Sequence, residues 1–300
     1  LVERNPAPDS LSVLDFTSFP PKVRHLSGIP NTVLGPPSNI AVTPDGATAL
    51  VASAIKIDPR NPTNWVPDRI VRLIDLASGK VVQEVETELQ PSGICLTPDG
   101  KRALVANRAS GSITVLTLEN GAARKTAHFK ICEPQDSISD IAVTPDGLLA
   151  FASIQKAGYL AVMEIAGDTL KPTWRKLSVF GQPYRCLVTP DGALAITAGM
   201  GAGNGADHDA VSVVDLRATP MRTIGHITIA PVPESLGLSP DGRLLAAVCM
   251  NGSNLPSDHP FHQKHGILEL LVRRGKSFEK VQSLPVGPIP QGVEFTADGK

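Results

Sequence analysis

The chain has 300 residues, with 28 basic and 29 acidic side chains for a net charge of −1; it is 42% hydrophobic but only 4% aromatic. That near-neutral balance gives no electrostatic footing for nucleic acid or an anionic membrane surface, and no apolar run approaches the ~20 residues that a bilayer-spanning helix requires. Four cysteines (Cys95, Cys132, Cys186, Cys249) lack metal-type spacing and read as small buried thiols on or beside strands rather than as disulfide partners.

From the N-terminus, Leu1 and Val2 have the look of a strand tail. Residues 11–15 (Leu-Ser-Val-Leu-Asp) alternate like a strand, and residues 22–26 (Lys-Val-Arg-His-Leu) form the next one. Ile40, Ala41 and Val42 then lead into Thr43-Pro44-Asp45-Gly46, followed by a second apolar run, 49–52. Proline presets the backbone of a tight turn, aspartate bonds locally and glycine accepts a positive φ, so this phrase is a hairpin turn. A third run, Val71-Arg72-Leu73-Ile74, alternates, and a polar turn (77–80) leads into a fourth, 81–85.

The same grammar returns along the chain. The turn recurs as Thr97-Pro98-Asp99-Gly100, Thr144-Pro145-Asp146-Gly147, Thr189-Pro190-Asp191-Gly192, Ser239-Pro240-Asp241-Gly242 and Thr296-Ala297-Asp298-Gly299, with steps of 54, 47, 45, 50 and 57 residues between the aspartates. A period near 50 marks an array of supersecondary units that bury their faces only against one another. Four antiparallel strands per unit describe the blade of a β-propeller. Gly and Pro together make 53 of the 300 residues and no apolar period of 3.6 persists over three turns, so a helical fold is excluded; a parallel α/β sheet lacks the crossover helices it needs. The reading is one all-β domain over residues 1–300 with six blades, or seven in a longer parent chain. Its ends are complementary: Val293-Glu294-Phe295-Thr296 supplies the first strand of the blade whose later strands open the chain, and closure of the ring removes exposed sheet edges.

The repeat Pro91-Ser92-Gly93-Ile94-Cys95-Leu96-Thr97-Pro98-Asp99-Gly100-Lys101-Arg102-Ala103-Leu104-Val105-Ala106-Asn107, followed by Ile113-Thr114-Val115-Leu116, resembles the YVTN-type β-propeller repeat. That repeat is related to the lactonase-like propellers, the 6-phosphogluconolactonase-like and carboxymuconate-cyclase-like proteins. The resemblance covers nearly the whole chain. It departs from the family at Ala297, where the turn proline is lost, and in showing six first strands where seven are usual. It implies a fold that hosts enzymes, ligand binders and docking platforms alike, with binding residues over the central channel on the face opposite the Pro-Asp-Gly turns. It also leans toward a periplasmic or secreted setting.

On that face, three connections between second and third strands are long: 57–69, 200–209 and 251–266. The short connection 108–111 reads as a blade without function. Long loops on a rigid scaffold are where binding residues collect. His208, His259, His262 and His265 fall in two of them, on adjacent blades, with Asp207, Asp209 and Asp258 nearby. Imidazole transfers protons near neutral pH and is a common metal ligand, so His208, His259 and His262 are candidate catalytic groups. His259, His262, His265 and Asp207 are a candidate set for a divalent metal, Zn or Ca. The alternative is a polar loop whose histidines cap turns or face water. The glycine run 199–205 lacks the Lys-Ser/Thr of a phosphate loop and reads as flexibility.

Residues approaching each first strand ring the channel mouth: Ser38-Asn39, Ser92-Gly93, Ser139-Asp140, Tyr184-Arg185, Glu234-Ser235 and Gln291-Gly292. Arg185 suits a substrate carboxylate or phosphate, and Asp140 and Glu234 suit acid–base work; alternatively the three satisfy one another at a hydrated rim. Asn39, Tyr184, Gln291, Asn204 and, on the connection 57–69, Arg60 and Trp65 are candidate ligand contacts. Two functions stay open. One is a lactonase-like enzyme acting on a small, anionic lactone or cyclic acid, with a metal as an optional aid. The other is a non-catalytic propeller that docks a protein, glycan or surface polymer through Trp65 or Phe261, with no shifted titrating groups in its channel.

Overall fold

The structure, a computed structural model, describes residues 8–30 and 38–299. Twenty-two strands form one two-stranded and five four-stranded antiparallel sheets. The two-stranded sheet is β1 (Ser10–Asp15) and β2 (Lys22–Ser27). The next holds β3 (Ile40–Val42), β4 (Thr48–Asp58), β5 (Asn61–Asp75) and β6 (Lys80–Glu86). Then come β7 (Pro91–Leu96), β8 (Arg102–Asn107), β9 (Ser112–Glu119) and β10 (Ala122–Lys130), and β11 (Ile138–Val143), β12 (Leu149–Ile154), β13 (Tyr159–Ala166) and β14 (Thr169–Ser178). The last two sheets are β15 (Gln182–Val188), β16 (Leu194–Met200), β17 (Asp209–Asp215) and β18 (Arg222–Ile229), and β19 (Pro233–Leu238), β20 (Leu244–Cys249), β21 (Gly266–Arg274) and β22 (Ser277–Val286). Helix among the described residues is confined to a three-residue 3-10 turn at Pro134–Asp136. In every four-stranded sheet, consecutive strands pair in sequence order. This is the blade architecture read from the repeat, and the fold is a β-propeller.

Second strands are mostly apolar on both sides because their faces pack against neighbouring blades. Side chains alternate across a strand, and in β4 Leu50 and Ala52 enter one core cluster with Ala103 and Val105 of the following blade. Ala49 and Val51 enter another with Leu11 and Leu26 of the two-stranded sheet. The pattern repeats around the ring: Ala150 and Ala152 pack toward Leu104 and Ala106, while Phe151 packs toward Ala195 and Val214. Alanine and valine dominate these faces, which is how sheets pack closely with so few aromatic rings.

The turns explain the repeat residue by residue. In all six the first-position hydroxyl donates to the aspartate: Thr43 to Asp45 at 2.6 Å, Thr97 to Asp99 at 2.6 Å, Thr144 to Asp146 at 2.5 Å, Thr189 to Asp191 at 2.6 Å, Ser239 to Asp241 at 2.6 Å and Thr296 to Asp298 at 2.5 Å. The glycine N–H then closes on the first-position carbonyl at 2.8 Å in each. These bonds hold the carboxyls of Asp45, Asp99, Asp146 and Asp241 below the usual range. The turns also touch in series. A methyl on Gly100 would stand 2.9 Å from Pro44, on Gly147 3.7 Å from Pro98, on Gly192 3.6 Å from Pro145, on Gly242 2.9 Å from Pro190 and on Gly299 3.9 Å from Pro240. Ala297 falls where a sixth proline would continue that ring, and a methyl on Gly46 would meet nothing within 4 Å.

Two sequence readings are corrected and one holds. The connection 57–69 is not a loop: β4 and β5 continue as a ribbon to a tight turn at Pro59 and Arg60, with Asp58 opposite Asn61. Trp65 faces Ile57 across it, an aromatic–β-branched pair of the kind that stabilises ribbons. Residues 293–296 are not a strand; Leu1 and Val2, read as a strand tail of the same blade, lie outside the described residues. The segment nevertheless runs beside β19, where a methyl on Gly237 would stand 3.0 Å from the Val293 carbonyl oxygen. The cysteines are all free, as read, with Cys132, Cys186 and Cys249 buried and Cys95 half-buried.

Candidate functional site at the channel mouth

First strands carry an irregularity near their start. Pairing slips between Pro91 and Ile94 in β7, Ile138 and Asp140 in β11, Pro183 and Cys186 in β15, and Pro233 and Ser235 in β19. A bulge leaves a residue out of the ladder and re-aims it. Ser92, Gly93, Ser139, Tyr184, Arg185 and Glu234 occupy these slips, so the residues that differ from blade to blade are those released toward the axis.

Glu234 is half-buried, and burial alone raises its carboxyl from 4.5 to about 7. Tyr184 lies between Glu234 and Arg108 and feels both charges; burial, then Glu234, push its phenol far up, so it stays a hydroxyl donor. Arg108 extends from the β8–β9 turn. One guanidinium nitrogen, Nη2, donates to Gln155 Oε1, and the other, Nη1, is buried without a hydrogen-bond partner. Burial lowers the Arg108 pKa, with a small opposing effect of Tyr184. The mouth therefore holds a carboxyl near neutrality, a cation with a spare donor and a phenol that feels both charges. The short connection 108–111, read as belonging to a blade without function, supplies this arginine. A signal for it existed. Nine residues after the turn aspartates stand Ala54, Arg108, Gln155, Met200 and Met250, and Arg108 is the charged one.

Below the mouth, Asp140 and Arg185 face a cavity of about 880 Å³. Asp140 is 3% exposed and Oδ2 accepts the Cys186 N–H at 2.9 Å. Burial raises its carboxyl, against the opposing pull of Arg185 and that N–H. Gly93 makes room for it, since a methyl there would stand 2.5 Å from Asp140 Oδ1. Arg185 donates to Glu294 at 2.9 Å and to Ser235 at 3.4 Å. Asp140 and Glu234 are therefore not one acid–base pair. Asp140 shares its charge with Arg185, and Glu234 stands apart with Tyr184.

The loop histidines are placed differently from the sequence reading. The connections 200–209 and 251–266 do meet, as expected: a methyl on Gly205 would touch Leu255 at 2.7 Å. Their polar groups, however, are engaged within the loops. His208 Nδ1 bonds the Ile229 carbonyl at 2.9 Å, His262 Nδ1 the Leu255 carbonyl at 2.9 Å, and His259 Nδ1 accepts the Phe261 N–H at 3.2 Å. The exposed His265 contributes its carbonyl to Asn251. Asp207 accepts from Asn204, which caps the same turn. Asp209 braces two segments, taking the Gly201 N–H at 2.7 Å and the Val232 N–H at 2.7 Å. Among the described residues no three of His, Cys, Asp and Glu gather in a way that holds a metal, so the donors His259, His262, His265 and Asp207 do not fit the divalent ion expected of them. None of the four histidines lines the channel cavity. Asn39 donates weakly to the Ala52 carbonyl at 3.5 Å, Gln291 is half-buried just before the channel segment, and Arg60 and Trp65 lie on the ribbon, Arg60 at its tip beside Asp58.

No family model and no curated protein matches this chain. Solved structures do. Hydrazine synthase from Kuenenia stuttgartiensis superposes with a TM-score of 0.70 at 20% identity, over 90% of this chain and 73% of that one. A provisionally designated 6-phosphogluconolactonase from Bacteroides uniformis gives 0.69 at 18%, over 93% and 79%. The β-propeller domain of Cps50 (Swd1) from Myceliophteria thermophila gives 0.59 at 12%, over 84% and 72%. The chain has the lactonase-like propeller fold. At these identities the likeness concerns the fold and leaves chemistry to the site.

Proposed function

We propose that the protein is a ring-opening hydrolase that acts on a small anionic lactone or cyclic acid at the channel mouth, with Glu234 moving the proton and Arg108 holding the anionic charge. The observation that carries this reading is the pairing of a buried carboxyl raised to about 7 with a buried guanidinium nitrogen that has no partner. A carboxyl near neutrality is populated in both forms, which is what acid–base catalysis at physiological pH requires.

The chemistry follows from those two states. Ionised Glu234 takes a proton from water as the water oxygen adds to the lactone carbonyl carbon. Negative charge builds on the carbonyl oxygen, within the field of Arg108 and the Tyr184 hydroxyl. The ring C–O bond then breaks, and Glu234 returns the proton to the departing alkoxide, giving the open hydroxy acid. The docking alternative has exposed rings to offer, Trp65 at 48% and Phe261 at 44%, but Phe261 packs on its own His259. A docking platform also gives no reason for a raised carboxyl in the mouth.

The test is proton release at constant pH over a panel of carboxylated and phosphorylated lactones. Glu234→Gln should lower kcat by roughly 10²–10⁴. A panel with no turnover by the wild type, or equal turnover by the variant, refutes the proposal.

A further inference from the structure

The cavity beneath the mouth has its own polarity and its own unsatisfied group. Its walls are apolar, built from Ile40, Val42, Ile94, Ile141, Val143 and Val188. Ile40 and Val42 are 40% and 46% exposed, a large opening for two aliphatic side chains on an innermost strand. Its polar groups sit together around Arg185. One of them is an orphan: among the described residues Arg185 Nε is buried without a partner. The Ser38 hydroxyl, 7% exposed, lies beside the Asp140 carboxyl and lowers its pKa. Buried donors in native proteins are nearly always satisfied, so an orphan guanidinium nitrogen facing a cavity marks a missing acceptor.

The acceptor now present is partial. Arg185 Nη2 meets Glu294 at 2.9 Å, and the two side chains are 16% and 65% exposed. Among the described residues the Glu294 carboxylate is bonded by Arg185 and, at 3.4 Å, by the Phe295 N–H. An exposed partner of this kind is readily exchanged for another carboxylate.

We propose that this cavity is a second ligand site, for a monocarboxylate with an apolar body, whose carboxylate displaces that of Glu294 from Arg185, accepts the idle Nε and draws the Ser38 hydroxyl from Asp140. The apolar body lies along the first-strand isoleucines and valines. Asp140 is already engaged: burial raises its carboxyl against the pull of Arg185, and its Oδ2 accepts the Cys186 N–H. A volume of about 880 Å³ is within the range of small-molecule pockets. The site is independent of catalysis at the mouth, because it uses Arg185, Ser38 and Glu294 rather than Glu234 and Arg108.

The experiment is isothermal titration of the full chain with octanoate, with acetate and octanol as probes of head and body alone. Octanoate should bind at least tenfold more tightly than either. Glu294→Gln should tighten octanoate binding about fivefold by removing the competitor, and Ser38→Ala should weaken it about fivefold. Arg185→Gln should weaken it more than tenfold; because that change also strips Asp140 of its cation, circular dichroism checks its fold, and Glu294→Gln decides if it fails. Glu234→Gln should bind octanoate as the wild type does, which separates this site from the mouth. Absence of octanoate binding, equal binding of acetate, or unchanged affinity in Glu294→Gln overturns the proposal.

Discussion

Replacing Glu234 with glutamine should make the protein more stable, and only above a definite pH. The carboxyl titrates at 4.5 in its ordinary setting and at about 7 in the fold, with burial as the cause. Below pH 4.5 it is protonated folded and unfolded, and titration contributes nothing to the difference between the two proteins. Between 4.5 and 7 the unfolded chain ionises while the folded one holds its proton, so the wild type loses stability as pH rises. Above 7 both forms are ionised and the deficit is constant. One pKa unit corresponds to about 1.4 kcal/mol, so the full deficit is on the order of 3 kcal/mol. Glutamine keeps the shape and does not titrate. Urea unfolding at pH 4.5 and pH 8.5 should therefore show near-equal stabilities at the lower pH and an advantage of up to about 3 kcal/mol for Glu234→Gln at the higher. The same variant should lose ring-opening activity, the signature of a group held in an uncomfortable state for function. An advantage that is equal at both pH values, or that appears only at low pH, refutes the assignment of a raised carboxyl.

Arg108→Met should keep the fold, shown by circular dichroism, and lower kcat/KM for anionic lactones by roughly 10–100-fold, the worth of a lost charge-assisted hydrogen bond; neutral lactones should be far less affected in the same assay. Thr144→Val removes the hydroxyl that donates to Asp146 at 2.5 Å and accepts the Leu149 N–H at 3.0 Å; it should cost about 1–2 kcal/mol in urea unfolding. Thr144→Ser should be near neutral, since Ser239 makes both bonds in its own turn. Gly93→Ala places a methyl 2.5 Å from Asp140 Oδ1 and 2.8 Å from its Cα, and should lower Tm with a loss of about 1–3 kcal/mol. Ala297→Pro inserts the residue that five sister turns carry, and should stabilise by roughly 0.5–1 kcal/mol by restricting the unfolded chain; a lower Tm would show that this turn differs from the others.

What could be read from the sequence divides along the range of the interactions involved. The turns were legible because their chemistry spans five residues: Thr97 bonds Asp99 and Arg102 within its own loop, so the phrase carries its structure with it. The ribbon at 57–69 was hidden because Pro59 and Pro62 break the alternation that Ile57 and Trp65 share across it. The loop histidines were correctly placed on neighbouring connections, but residue type says nothing of whether a ring nitrogen is already taken. His262 and His208 use Nδ1 on backbone carbonyls, and neither lines the channel cavity. Arg108 was missed for the opposite reason, as its turn is short and ordinary while its partners come from other blades.

A ring of near-copies nevertheless offers a way to find such residues. Positions equivalent in the repeat occupy equivalent places about the axis, so the N–H groups of Arg108, Gln155 and Met250 all close on the connection before their own blade, to Gln90, Ser137 and Val232. Where the scaffold is repeated, a column of residues that stays small or apolar marks packing. A single charge in such a column cannot be there for the scaffold, because the sister blades fold without it. Arg108 is the one charge among Ala54, Gln155, Met200 and Met250, and Glu234 the one charge among Ser38, Ser92, Ser139, Tyr184 and Gln291. The two charges lie on different blades and both act on Tyr184, and that convergence of independent exceptions is what directs the proposed chemistry to this end of the channel.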